Sequence, residues 1–535
     1  MRLRAFDILG ILAVTSWIGW IAFSALTEGG GLEDVERLEI SDQERKDGWR
    51  DGVEWQGIYL KDQKVGYIKI KKWREAGDQG EVHLIDSDMI LHLTVMRTRQ
   101  KIKTKTLARL SPDMTLESFD LQITSGPADM RMTGTVEGNT VTMRIDSGGG
   151  VQTETITLKE PPKLSLSLKP LLMREGLKAG DKLSTRFFDP ASLTERELVI
   201  TYKGPEKINI MDQEVEAHHF VQQMGGIQLD LWTNGIGEVL RENLPMGLVG
   251  MREAGVEARY GVIAGTISPA EDVIDAVSVI PHGSPISTAA VDLSLELSGL
   301  SFEGLDLDGG RQRWTPADAA QTSGLLHLQV EATAGRPLTL GQLADLDAVA
   351  GGDAALIESL RANLKPEMMI QSDDPRILHR AHLASGTSPS ALHERQVLEV
   401  ARDISQWAYE AIAKESVIGV PSALETLETL RGDCNEHTTL VVALLRSVGV
   451  PARPAVGIAY LPDRGRFFYH AWVEIWAQGW VAIDPTFGQF PADIGHVRFV
   501  NGGLSEQIEM FRVIGQLQID HPLPAPQSTP PQATP

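Results

Sequence analysis

The chain has 535 residues, 42% of them hydrophobic and 23% charged, which is enough apolar material for several folded domains. Against 72 Asp and Glu stand 50 Lys and Arg, a net charge of −22 spread along the sequence without a basic patch, which argues against nucleic acid as a partner. A single cysteine, Cys434, rules out an internal disulfide, and no His and Cys cluster has zinc-ligand spacing, so neither a metal nor another cofactor is expected.

After Arg2, Arg4 and Asp7 the stretch Ile8 to Leu26 carries no charge and has about the length of one bilayer-spanning helix. Basic residues on its leading side predict an N-terminus in the cytoplasm and the bulk of the chain across the membrane. Residues 1–31 are therefore expected to be a single-pass membrane anchor with the body on the far side; in a bacterium that is an inner-membrane anchor with the body in the periplasm. Ala22-Phe23-Ser24 keeps open the alternative of a chain secreted after signal cleavage.

Residues 32–280 read as antiparallel β. Met89, Leu91, Leu93 and Val95 recur at every second position, as do Leu229 and Leu231, and Glu137-Gly138-Asn139 separates two short runs like a hairpin turn. A boundary near Gly176 to Asp181 leaves open one sheet or two. Arg99 to Lys105 is a local basic run that reads as the solvated face of a strand. Residues 281–388 form a smaller segment: a turn-rich linker from Pro281 to Pro285, strands around Val291, Leu293, Leu295, Leu297 and around Leu326, Leu328, Val330, then a helical connector over 341–365. Asp306-Leu307-Asp308-Gly309 starts like a calcium loop, but Gly310 and Ala317 stand where ligands are needed, so a turn is expected.

A helix over 391–414 leads into the last folded unit, 389–520, which contains Cys434. From Cys434 onward Thr438, Val441 and Leu445 share a helical stripe that Gly449 and Pro451 end. Asp433 is the expected N-cap and Glu436 its capping-box partner, which puts the sulfur in the first turn, at the positive end of the helix dipole. The two acids oppose that field, so a neighbouring imidazolium must outweigh them if a thiolate is to form. His437, one turn on, reads as flanking the site.

Two strand candidates follow, Ala455 to Tyr460 and Tyr469 to Trp476, and in the second His470, Trp472, Glu474 and Trp476 share one face. A three-residue loop Ala477-Gln478-Gly479 sets Trp476 opposite Trp480 and brings Asp484 to the His470 face; a two-residue loop puts it on the wrong one. Thiol, imidazole and carboxylate in this order are the parts of a cysteine acyl-transfer site: Cys434 as nucleophile, His470 as base, Asp484 as the acid that orients the ring. Pro522 to Pro535 is Pro-rich, and 521–535 is expected to be disordered.

Arg431-Gly432-Asp433-Cys434-Asn435-Glu436-His437, Gly449-Val450-Pro451-Ala452-Arg453, His470-Ala471-Trp472-Val473-Glu474 and Gly479-Trp480-Val481-Ala482-Ile483-Asp484-Pro485-Thr486 together resemble the bacterial transglutaminase-like family. The resemblance covers roughly 390–500 and implies a papain-like core with Cys434, His470 and Asp484 as its triad. An oxyanion donor upstream is also implied; Trp407 stands in the right region but reads as a core aromatic. The expected fold class is thus α+β: an N-terminal transmembrane helix, a large antiparallel β region and a C-terminal papain-like transglutaminase core. The expected function is hydrolysis of peptide or amide bonds in a protein or peptide substrate of the cell envelope. Amine transfer that crosslinks proteins, and a non-catalytic envelope scaffold, are the alternatives.

Overall fold

The computed structural model describes residues 37–38 and 48–521 apart from short internal segments, of which 163–176, 503–509, 266–271 and 416–421 are the longest. The expected anchor, 1–31, and the Pro-rich end, 522–535, lie outside the described residues. Of the described residues 49% are strand and 20% helix, so the expectation of an α+β chain led by a transmembrane helix is corrected to a mostly antiparallel-sheet protein. No described helix is long and apolar enough to cross a membrane; the longest, Val397–Ala411, has 15 residues, against about 20 for a span. Period-two sequence simply runs much further along this chain than period-3.6 sequence does.

Fifteen of the described strands join one sheet. Gly52–Leu60 through Val151–Thr157 follow one another as hairpins, Lys182–Asp189 through Leu248–Arg252 do the same, and Leu248–Arg252 returns beside Gly52–Leu60 with Leu248 opposite Leu60. Strands on both sides of Gly176 to Asp181 therefore share a sheet. Alternation decides which face is buried: in Thr140–Asp146, Val141, Met143 and Ile145 point inward between exposed neighbours. In Thr98–Leu110, Ile102, Thr104, Thr106 and Ala108 are buried while Lys101, Lys103 and Lys105 face out. Glu137 pairs with Thr140 across Gly138-Asn139, and Gly138 takes the left-handed φ of 62° that the tight turn needs.

A five-stranded sheet follows, in spatial order His282–Gly283, Gln518–His521, Asp292–Ser298, Ser323–Gln329 and Gln312–Pro316. The helical connector is broken into Leu340–Leu343, Leu346–Val349 and Ala354–Ala362, and between the last two Gly351 and Gly352 turn the chain with φ of 60° and 80°.

The last unit is built on a four-stranded antiparallel sheet in the order Trp480–Ile483, Arg466–Trp476, Ala452–Leu461, His496–Asn501. Helix Cys434–Ser447 packs on it, with helices Pro375–Ala384, Val397–Ala411 and Ala423–Thr429 around it. Every residue from Cys434 to Arg446 is buried. One continuous core runs from the large sheet into this unit through Ile58, Leu91, Ile274, Phe467 and Ile494. Val279 and Phe467 exchange both backbone hydrogen bonds, at 2.9 and 2.7 Å, which docks the linker onto the hairpin that carries His470.

Candidate active site

Asp433 caps helix Cys434–Ser447 in an extended conformation. Its carboxylate accepts from the Asn435 N–H at 2.9 Å and Nδ2 at 3.0 Å, and Glu436 reaches back to the Asp433 N–H at 2.8 Å, a complete capping box. Cys434 is thereby held in the first turn, fully buried, and the backbone N–H of Ala471 donates to its sulfur. Since Ala471 follows His470, this bond ties the helix start to the strand that presents the imidazole.

The hairpin pairs Trp476 with Trp480, Ile475 with Val481, Glu474 with Ala482 and Val473 with Ile483, the register of a three-residue loop. Gln478 takes the left-handed φ of 58° in that loop, and Gly479 has φ 133°. Asp484 follows on the His470 face, and His470 Nε2 lies 2.8 Å from Asp484 Oδ2. The chain then turns at once: Asp484 Oδ1 accepts from the N–H groups of Thr486 at 2.7 Å and Phe487 at 3.0 Å. Phe487 stacks on His470 with ring centroids 4.4 Å apart and planes within 8°. The other ring nitrogen, Nδ1 of His470, is buried with no hydrogen-bond partner among the described residues.

His496 is the residue that sequence reasoning missed. It opens strand His496–Asn501, and its Nε2 lies 3.1 Å from the same Asp484 Oδ2, while its Nδ1 faces Asp493 Oδ1 at 3.0 Å. The ligand-type atoms of His470, Asp484 and His496 all lie within 4.8 Å of one another, a spacing a metal ion would also fit. The Nε2 atoms of both rings already meet Asp484 Oδ2 at hydrogen-bonding distance, so the cluster reads as a hydrogen-bonded relay.

Burial and charge oppose each other here. Burial pushes Asp484 up, yet the His470 and His496 rings hold it well below the carboxylate range. Burial lowers His470 despite Asp484. For His496 the two carboxylates outweigh burial and raise it to about 9. Burial raises the Cys434 thiol, and Asp433, Glu436 and Asp484 raise it further against the Ala471 N–H. Burial also lifts Asp433 to about 6 and, with Asp433 beside it, Glu436 well above its ordinary value. Burial thus favours the neutral forms of both the Cys434 thiol and the His470 ring.

His437 does flank the site: its Nδ1 lies 2.6 Å from the Asp433 carbonyl oxygen, and burial lowers it to about 4. Trp407 packs in the helical core under the Arg380 guanidinium, 5.2 Å from the ring centroid. In the loop that starts like a calcium site, the oxygens wrap a buried guanidinium instead. Arg498 donates to Asp306 Oδ1, Asp308 O and Gly309 O, each at 3.2 Å, and to Glu474 Oε1 at 2.7 Å.

Residues 383–485 match the family model of the transglutaminase-like superfamily, a span that includes Cys434, His470 and Asp484. An uncharacterized protein of Mycobacterium leprae is 36% identical over 74 residues, 12% of this chain and 25% of that one, so the chain spans a quarter of this relative's length. A solved candidate cysteine protease from Cytophaga hutchinsonii is 14% identical, with 45% of this chain and 81% of the other covered at a TM-score of 0.27. A β-barrel-like protein of unknown function from Brucella abortus is 8% identical, with 38% and 94% covered at 0.28. At such scores the structural overlaps carry no argument. The family match is to this one domain of the chain.

Proposed function

We propose that the protein is a thiol hydrolase that cleaves peptide or amide bonds in a protein or peptide substrate, with Cys434 as nucleophile, His470 as base and Asp484 as the acid that orients it. The observation that carries this reading is the His470 pair of nitrogens: Nε2 is committed to Asp484 and Nδ1 is buried without a partner, on the strand whose next N–H binds the Cys434 sulfur. With the Nε2 proton fixed on Asp484, the Nδ1 lone pair is the base. It takes the Sγ proton as sulfur attacks the carbonyl carbon, then gives that proton to the leaving amine; water, activated by the same nitrogen, releases the acyl group.

Asp433 takes the N–H groups of Asn435, Glu436 and His437, which leaves the Cys434 N–H as the first-turn amide for the oxyanion. Cys434, His470 and Asp484 have no exposed surface, so a substrate reaches the sulfur only when neighbouring residues move. Water is the acceptor present in any compartment, which favours hydrolysis over amine transfer.

Mass spectrometry of a peptide library incubated with the protein and a labelled amine tests the reading. New peptide termini that vanish with Cys434→Ala are expected. Amine incorporation assigns transfer instead. Neither product, from folded protein whose thiol still alkylates, sinks the catalytic reading.

A further inference from the structure

Both ring nitrogens of His496 face carboxylate oxygens, Nδ1 toward Asp493 at 3.0 Å and Nε2 toward Asp484 at 3.1 Å. An ionised carboxylate only accepts, so the ring satisfies both contacts only when it carries both protons. Asp493 is itself fixed: its Oδ1 accepts from the Gly495 N–H and its Oδ2 from Gln489 Nε2, each at 2.9 Å. His470 differs in kind. One of its nitrogens meets Asp484 and the other has no hydrogen-bond partner among the described residues, so a single proton suffices. All four acceptor positions of Asp484 are then filled, two by backbone N–H groups on Oδ1 and two by rings on Oδ2.

We propose that His496 is a positioning residue: as a second donor on Asp484 Oδ2 it fixes that carboxylate for His470 and keeps the His470 ring uncharged between turnovers, so that Cys434 rests as a thiol. The inference rests on the triad reading. The charged and titratable groups around the site lie on several elements, and they include His437, on which Lys414, Asp484 and His470 act. Asp433 and Glu436 act on the sulfur from its own helix and Asp484 from the hairpin, while the sulfur in turn raises Tyr469. Asp484, Asp493 and His496 act on His470, and the Lys414 ammonium is attracted by Asp484. The direction in which the thiol and both rings are shifted agrees with the hydrogen-bond argument.

The consequence is a defined order of proton movement. The Sγ proton passes to His470 Nδ1 only as the sulfur–carbon bond forms. The imidazolium so made has its ring centroid 5.6 Å from that of His496, whose charge repels it and drives the proton on to the leaving amine.

Alkylation of Cys434 by iodoacetamide, followed between about pH 5 and pH 10, tests the proposal. The wild-type rate is expected to inflect above about 8.5, the value of an ordinary thiol. His496→Gln keeps an N–H donor for Asp484 without the charge, and its inflection should fall by about one unit, roughly tenfold faster labelling at pH 6. A wild-type rate already at its plateau at pH 6 overturns the proposal. So does a His496→Gln rate that changes equally at every pH, the signature of a merely structural role. If folded His470→Ala cleaves peptide as fast as wild type, the triad reading itself has failed and the proposal falls with it. Histidine 15N spectra of the wild-type chain decide the matter if His496→Gln does not fold: His496 should carry both protons up to about pH 9, and a neutral His496 at pH 7 overturns the proposal.

Discussion

The large sheet and the unit around Cys434 bury their residues on opposite principles. In the sheet, strand after strand sends apolar side chains inward at every second position and leaves Lys101, Lys103 and Lys105 in solvent. Around Cys434 the buried set includes Asp433, Glu436, His437, Arg446, His470, Glu474, Asp484, His496 and Arg498. Apolar burial is non-directional and roughly proportional to area, so the sheet tolerates exchange of one apolar residue for another. Buried charge is stable only when each group meets its partner, so the second region depends on geometry.

Five measurements sharpen or break this comparison. The largest effect belongs to Cys434→Ala, which should lower peptide cleavage about a thousandfold or more while leaving the melting temperature nearly unchanged. A folded Cys434→Ala that still cleaves would remove the chemical reason for the buried cluster. Next comes Arg498→Met. It leaves the carbonyls of Asp308 and Gly309 without their donor and deprives Glu474 of one of its two arginines, the other being Arg453 at 2.7 Å. Denaturant unfolding should show a loss on the order of 3 kcal/mol.

Third, His496 links stability to pH. Its folded pKa, about 9, lies above the ordinary 6.5, so its contribution is full below about pH 6.5 and is lost as pH rises through about 9. The loss across that window is on the order of 3 kcal/mol by linkage and should be missing in His496→Gln. Asp433 is also raised but falls in a lower window, between its ordinary 3.8 and about 6, so the two separate in a pH series of unfolding curves. An unchanged slope between pH 6.5 and 9 in His496→Gln would show that the ring is not an imidazolium.

In the sheet, Ile145→Val should cost about 1 kcal/mol, the loss of one buried methylene that neighbours partly fill. Lys103→Ala, on the exposed face of the same sheet, should change stability by less than about 0.5 kcal/mol in the same unfolding assay. If Lys103→Ala cost as much as Arg498→Met, the contrast between the regions would be wrong.

Much of the candidate site was legible because it rests on short-range rules. Asp433 and Glu436 stand three apart at a helix start, and the loop Ala477 to Gly479 sets which face Asp484 takes. His496 was not legible. Its contact with Asp493 three residues back is local, but its pairing with Asp484 is not: its strand lies beside Ala452–Leu461, across the sheet from the hairpin, and that neighbour relation brings the ring to Asp484. Arg498 was equally silent, since its partners at 306–309 lie about 190 residues upstream. The expected connector helix over 341–365 failed at Gly351-Gly352, whose positive φ values interrupt a favourable composition.

By itself the sequence determined the period-two region, the capped helix that starts at Cys434 and the hairpin that joins His470 to Asp484, because side-chain periodicity, capping and turn geometry act over a few residues. Tertiary structure alone decided the charge state of the site. Which carboxylates surround a buried ring, and how far water is excluded, depends on segments brought together from distant parts of the chain.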